Sequence, residues 1–212
     1  MNTATQDKPA AGADTQQQVA LVERLPRPER IVVESGIPVL DTAKFDHMTR
    51  IAKLMAASSL VPEHLNSTRK VGGQEVAISE GEAIANCFLV VNQAVRWNMD
   101  PFAVAQHIFI TKGKIGYEGK LIAAVINTHP SIIERLSYRF EGDVGKPNRK
   151  VIVSARSSDQ DKPKEVEGTV QQWQTYEKDG TPKAAWKGNA DQQLTYRGAR
   201  EWARRWLPEA IL

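Results

Sequence analysis

Near residue 132 the apolar residues of this chain change period, and that switch restricts the fold more than any other feature. Upstream, Phe45, Met48, Ala52 and Met55 recur at helical spacing. Downstream, residues 135–140, 150–155 and 166–173 are alternating or β-branched runs. Polar turns separate them, one with Gly145-Lys146-Pro147 and one over 159–163. Three such runs with short connections predict an antiparallel meander of three strands. Helices first, strands next and a helix to finish predict an α+β fold: a small antiparallel β-meander plus a β-hairpin packed against several helices.

The helical signals are local and specific. Asp41 is placed to cap a helix running to about residue 58. A loop with Pro62 and Gly72-Gly73 follows, and then Ser79 and Glu82 stand at capping-box spacing ahead of a second helix through about Trp97. Its run Cys87-Phe88-Leu89-Val90-Val91 is apolar almost all round, which predicts a central core helix. Asp100-Pro101 supplies an N-cap and a proline at the first helical position, opening a short helix to about Gln106. Residues 108–110 and 115–117 read as a hairpin turned at Lys112-Gly113-Lys114, and 120–127 as an apolar helix. Residues 1–38, with their Ala-Gly, glutamine and proline content, bury too little apolar surface to order themselves and predict a flexible N-terminal arm; 39–212 is the expected core domain.

Composition narrows the function classes. The single cysteine, Cys87, excludes an internal disulfide framework and a cysteine-built metal cage, and it reads as a buried small hydrophobe. His47, His64, His107 and His129 are scattered without the pairing of a zinc site. There is no glycine-rich phosphate loop for ATP-driven chemistry, so no cofactor and no metal are expected. No basic start with an apolar run marks a secretory leader, and no apolar stretch approaches the roughly 18 residues of a membrane span. A soluble protein of the cytoplasm, without membrane contact, is the expectation. A net charge of +3 permits nucleic-acid binding without requiring it.

Basic and aromatic residues coincide in two places. Residues 191–208, DQQLTYRGAREWARRWLP, carry Arg197, Arg200, Arg204 and Arg205 with Tyr196, Trp202 and Trp206, against only Asp191 and Glu201. On a helix Arg197, Arg200 and Arg204 share one stripe, while Trp202 and Trp206 share another. The second place is the hairpin and its exit, IFITKGKIGYEGK, with Lys112, Lys114 and Lys120. Guanidinium and ammonium groups hold phosphates without reading sequence, and aromatic faces accept unpaired bases. The alternative is a solvated basic face with both tryptophans as core anchors. Arg135, Arg139 and Arg156 are expected on the outer face of the meander. An enzyme reading also exists: Glu118-Gly119-Lys120 with Asp100 upstream mimics the acidic-x-lysine pattern of a metal-dependent nuclease. A non-catalytic oligomeric adaptor whose basic helix binds acidic protein is a third reading.

Four ordered segments carry a resemblance to a known family. They are NQAVRWNMDPFAVAQ, the hairpin and helix IFITKGKIGYEGKLIAAVIN, a strand-rich middle ending at Trp186, and LTYRGAREWARRWLPEAIL. In order and spacing, over about residues 83–212, these resemble the RecT/Redβ single-strand annealing proteins, the recombinases of phages and prophages. The resemblance implies a non-enzymatic protein that binds single-stranded DNA and anneals complementary strands without ATP. It also implies a homo-oligomer, ring or helical filament, holding a nascent duplex in a basic groove during phage recombination in the bacterial cytoplasm. By position it assigns groove contacts to Arg197 and Arg204 of the terminal helix and to Lys112, Lys114 and Lys120 of the hairpin and its exit. Arg200 is a further candidate, and its role and that of Arg205 stay open. Relatives reach a host single-strand-binding protein or a phage exonuclease through a tail beyond the segment matching 208–212, and the expectation here is that this tail is absent or removed. The N-terminal arm matches no segment of the family; with the loop at 66–74 it is a candidate for subunit contacts.

Overall fold

The computed structural model describes residues 36–111 and 113–211, so most of the expected N-terminal arm, and Lys112 with it, lie outside the described residues. A 3-10 turn, Pro38–Leu40, leads into helix α1 (Thr42–Ala56), whose first turn is closed by the Asp41 carboxylate accepting from Lys44 N–H at 2.9 Å. Helix α2 (Glu63–Asn66) and hairpin β1 (Thr68–Val71)–β2 (Gln74–Ala77) follow where the sequence predicts only a loop. Both Gly72 and Gly73 adopt positive φ, +60° and +90°, the geometry a two-residue hairpin turn demands of its central pair.

Helix α3 (Glu80–Trp97) opens at Ser79, whose hydroxyl accepts from Glu82 N–H, and closes at Asn98 in the left-handed conformation. Its buried face is Ala83, Cys87, Val90, Val91 and Ala94. The expected all-round burial gives way on one side, because Leu89 is 52% exposed. Helices α1 and α3 pack on each other, with the Phe45 and Phe88 rings 4.9 Å apart between them. The Asp100 carboxylate then caps α4 (Pro101–Ala105) by accepting from Ala103 N–H.

Next come hairpin β3 (Ile108–Thr111)–β4 (Lys114–Tyr117) and helix α5 (Gly119–Thr128). The meander is β5 (Ile132–Glu141), β6 (Lys150–Ser157) and β7 (Lys164–Thr169), antiparallel in the order β5-β6-β7. The run at 166–173 is not one strand. It breaks at Thr169, which forms a complete capping box with Gln172 and starts the helical turn α6 (Val170–Trp173). A second short helix, α7 (Ala184–Gly188), buries Trp186, and α8 (Ala190–Trp206) with a 3-10 turn, Pro208–Ile211, completes the described chain. The architecture is therefore α+β, with eight α-helices among the described residues, one three-stranded antiparallel sheet and two hairpins.

The sheet has two unlike faces because side chains alternate along each strand. Val151, Val153 and Ala155 of β6 point into the core, where α8 lies across them. The opposite face carries ion pairs: Arg156 with Glu134, Arg139 with Glu141, and Lys150 with both Glu141 and Glu167 at 3.0 and 3.1 Å. Arg139 and Arg156 thus occupy the outer face as expected, and Arg135 is exposed as well. Two glycines set the seat of α8. A Cβ at Gly198 would stand 2.4 Å from Val153 Cγ2, and one at Gly119 would stand 2.3 Å from Tyr196 Cβ. Only hydrogen at those positions lets α8 approach both the sheet and the first turn of α5. One contiguous core joins the helical half to the sheet through these contacts. Among the described residues no helix is long and apolar enough to cross a membrane.

Candidate nucleic-acid interface

Helix α8 begins at Asn189, whose side-chain oxygen accepts from Gln192 N–H at 3.1 Å. Leu194, Gly198, Ala199, Trp202 and Ala203 form its buried stripe. Trp202 is fully buried, and its indole N–H donates to Lys164 O on β7 at 2.8 Å. Trp206 is partly buried under the Lys164 ammonium, 5.3 Å from the ring centre. Both tryptophans therefore anchor the helix to the sheet, the second of the two roles the sequence leaves open for them.

The three arginines of the predicted stripe have three different settings. Arg197 donates to Trp173 O at 3.3 Å and lies 3.7 Å from Glu201, so its guanidinium is drawn toward α6. Arg204 is mostly exposed and meets the same Glu201 at 3.2 Å. Arg200 is the one of the three with no carboxylate within ion-pairing distance among the described residues; it donates to Tyr117 O at 3.0 Å. Burial, and then the neighbouring charges of Arg204 and Arg197, hold its pKa below the ordinary guanidinium value, with Glu201 opposing. It remains a cation at neutral pH, because guanidinium groups titrate far above it.

Arg200 and Arg204 form one wall of a cleft of about 460 Å³. Hairpin β3–β4 forms the facing wall through Phe109, Ile115 and Tyr117, and Ile211 of the terminal 3-10 turn contributes to the lining. The hairpin is held there from several directions. Glu118 N–H donates to His107 O at 2.9 Å, closing its base. The Tyr117 ring packs edge-on against Trp97 at 4.9 Å and 71°. The Trp97 indole donates in turn to Ala210 O at 2.6 Å, tying α3 to the terminal turn. Across the hairpin Phe109 faces Gly116, and a Cβ there would meet the Phe109 ring at 2.3 Å. The glycine lets the ring lie flat over the strand while the residue stays 41% exposed.

The sequence candidates thus separate in space. Arg200 and Arg204 share the cleft with the hairpin that carries Lys114 near its turn. Arg197 lies outside the cleft lining, and Lys112 is outside the described residues. Lys120 sits on the first turn of α5, 3.4 Å from Glu118, whose carboxylate is also 3.2 Å from His107 Nδ1. Asp100 is engaged in capping α4. Among the described residues no group of three or more His, Cys, Asp or Glu side chains is close enough to hold a metal ion. The hairpin's apolar side chains, Phe109 and Ile115, are absent from the candidates that sequence reasoning singles out. A signal for them exists: the strands 108–111 and 114–117 carry exposed apolar residues on a ribbon that, among the described residues, has two strands only.

A second hollow, about 710 Å³, lies between the hairpin and β1–β2, and Phe109 lines it as well as the cleft. Its charges are mixed: Arg69 and Lys70 accompany Glu63 and Glu75, and Arg69 pairs with Glu82 at 3.3 Å. That balance makes it a poor seat for a polyanion. Compared with known protein families, the chain matches no family model, and no curated protein sequence matches it.

Proposed function

We propose that the protein binds single-stranded DNA and anneals complementary strands without ATP, acting as a homo-oligomer. The observation that carries this reading is the pairing of Arg200 and Arg204 with the exposed apolar hairpin residues across one open cleft. Cations without a full complement of carboxylates attract phosphates, and an apolar rim beside them suits unpaired bases. The resemblance of the same segments to RecT/Redβ annealing proteins, over about residues 83–212, points the same way.

The annealing step needs no bond chemistry from the chain. Arginine and lysine neutralise two phosphate backbones that otherwise repel. Contacts made to the backbone leave the Watson–Crick edges free, so complementarity is tested by base pairing itself. An oligomer repeats the cleft along the strand and raises the local concentration of pairing sites.

Titration of labelled single-stranded oligonucleotides of unrelated sequence, with an annealing assay lacking ATP, tests the proposal. The native chain is expected to bind each and to accelerate pairing. Arg204→Ala is expected to weaken binding uniformly and to lower the salt slope by about one unit. Failure of the native chain to bind single strands, or an Arg204→Ala variant with unchanged affinity and slope, would sink it. Incubation of the same DNA with Mg²⁺ or Mn²⁺ separates the nuclease reading, which requires cleavage that Glu118→Gln abolishes.

A further inference from the structure

We infer that the cleft between α8 and hairpin β3–β4 takes one unstacked nucleotide of a bound strand, its base on the Phe109–Ile115 wall and its phosphate on Arg200 and Arg204. The inference rests on the DNA-binding reading and goes beyond it by naming the ligand unit. A surface that only tracks a backbone needs cations, and it has no use for an apolar hollow beside them. Here the hollow is about 460 Å³, within the range of small-ligand sites, and open to solvent. Phe109 presents an exposed ring backed by Gly116, a flat platform of the kind that stacks any base.

The charged end is equally selective. Arg200 is half-buried, has no carboxylate partner among the described residues and is oriented by its bond to Tyr117 O. Arg204 adds a second guanidinium at the solvent edge, partly engaged by Glu201. Two guanidinium groups at one end and apolar walls elsewhere fit an anion with a flat apolar body. A nucleoside monophosphate unit has that form, and oriented guanidinium groups are well matched to phosphate oxygens.

The experiment compares a (dT) oligonucleotide with a strand of equal length and charge whose bases are replaced by abasic sites. The native chain is expected to prefer the base-bearing strand about tenfold, the scale of one stacked base. Phe109→Ala and Ile115→Glu are expected to remove the preference and Phe109→Tyr to keep it. Phe109 and Ile115 are both more than a third exposed, so folding of each variant is readily checked by circular dichroism. Tight binding of both strands with no preference, or a preference that survives both Phe109→Ala and Ile115→Glu, overturns the nucleotide site and leaves DNA binding standing. Binding of neither strand overturns both readings. In a parallel arm, free dTMP is expected to bind more tightly than inorganic phosphate or octyl phosphate. Tighter binding of octyl phosphate identifies the hollow as a lipid-like anion site and overturns the nucleotide assignment.

Discussion

Arg149 shows how much the N-terminal end of α8 depends on one side chain. Its guanidinium forms a two-point contact with Asp191 at 2.9 and 2.7 Å, donates to Gly142 O, and lies 5.0 Å from the Phe140 ring centre. These bonds join the β5–β6 turn to the first turn of the terminal helix. Asp191 also suits that position because a carboxylate complements the positive end of a helix dipole. The hydrogen bonds from Arg149 hold the Asp191 carboxyl below its ordinary value of 3.8. Because the folded-state pKa is depressed, the stabilisation is fully present above the unfolded value of about 4 and is lost as pH falls through the folded pKa. Asp191→Asn keeps the shape and removes the charge. Its melting temperature is expected to fall below that of the native chain at neutral pH, and the gap to close as pH drops below 3.8. Parallel melting curves from neutral pH to well below that value, in buffers of matched ionic strength, check this; a gap that stays constant to the lowest pH refutes the assignment.

At the scale of elements, the placement of α8 on the sheet depends on what Gly198 lacks. Alanine there would gain about 1 kcal/mol in helix propensity. Its Cβ would also enter the space of Val153 at 2.4 Å, and overpacking of that kind costs about 1–3 kcal/mol. The contact is expected to outweigh the propensity, so Gly198→Ala should lower the urea midpoint, whereas Gly188→Ala, with open space around it, should not lower it by the same mechanism. Side-by-side urea titrations settle the comparison. Much of this element order is legible in the sequence. Asp41, Ser79 and Asp100 each cap the helix that their spacing predicts, and the period switch at 132 marks the start of the meander. The capping box at Thr169 is hidden, because Val170 prolongs the β-branched run and masks the change of period. Hairpin β1–β2 escapes for a different reason. Its strands are four residues each, exposed throughout except at Thr68, and show no buried face from which alternation could be read. The candidate site is legible only in part. Helical spacing puts Arg197, Arg200 and Arg204 on one stripe, yet it is blind to Trp173 O, which draws Arg197 away, and to Tyr117 O, which holds Arg200 at the cleft.

For the whole molecule, net charge and charge placement make different demands. A formal charge of +3 spread over 212 residues generates too weak a field to bind DNA through the surface at large. Several cations of the sheet region are also internally matched: Arg139, Arg149, Lys150 and Arg156 each face a carboxylate. The proposed interface must therefore be local, built from Arg200, Arg204 and Lys114 around the cleft, with repetition in an oligomer supplying the rest. That has a measurable signature in salt. For an oligonucleotide short enough to occupy one protomer, one phosphate shared by Arg200 and Arg204 and about one more at Lys114, at roughly −0.7 each, give a slope of log K against log salt of about −1.4. Titrations between about 50 and 200 mM salt read this slope directly. A value near zero means that phosphates are not what the cleft holds. A slope steeper than about −5 requires more cations than the cleft possesses and transfers the interface to another surface of the molecule. Lengthening the oligonucleotide should then steepen the slope in steps as each further protomer engages, because every added copy of the cleft brings its own arginine pair.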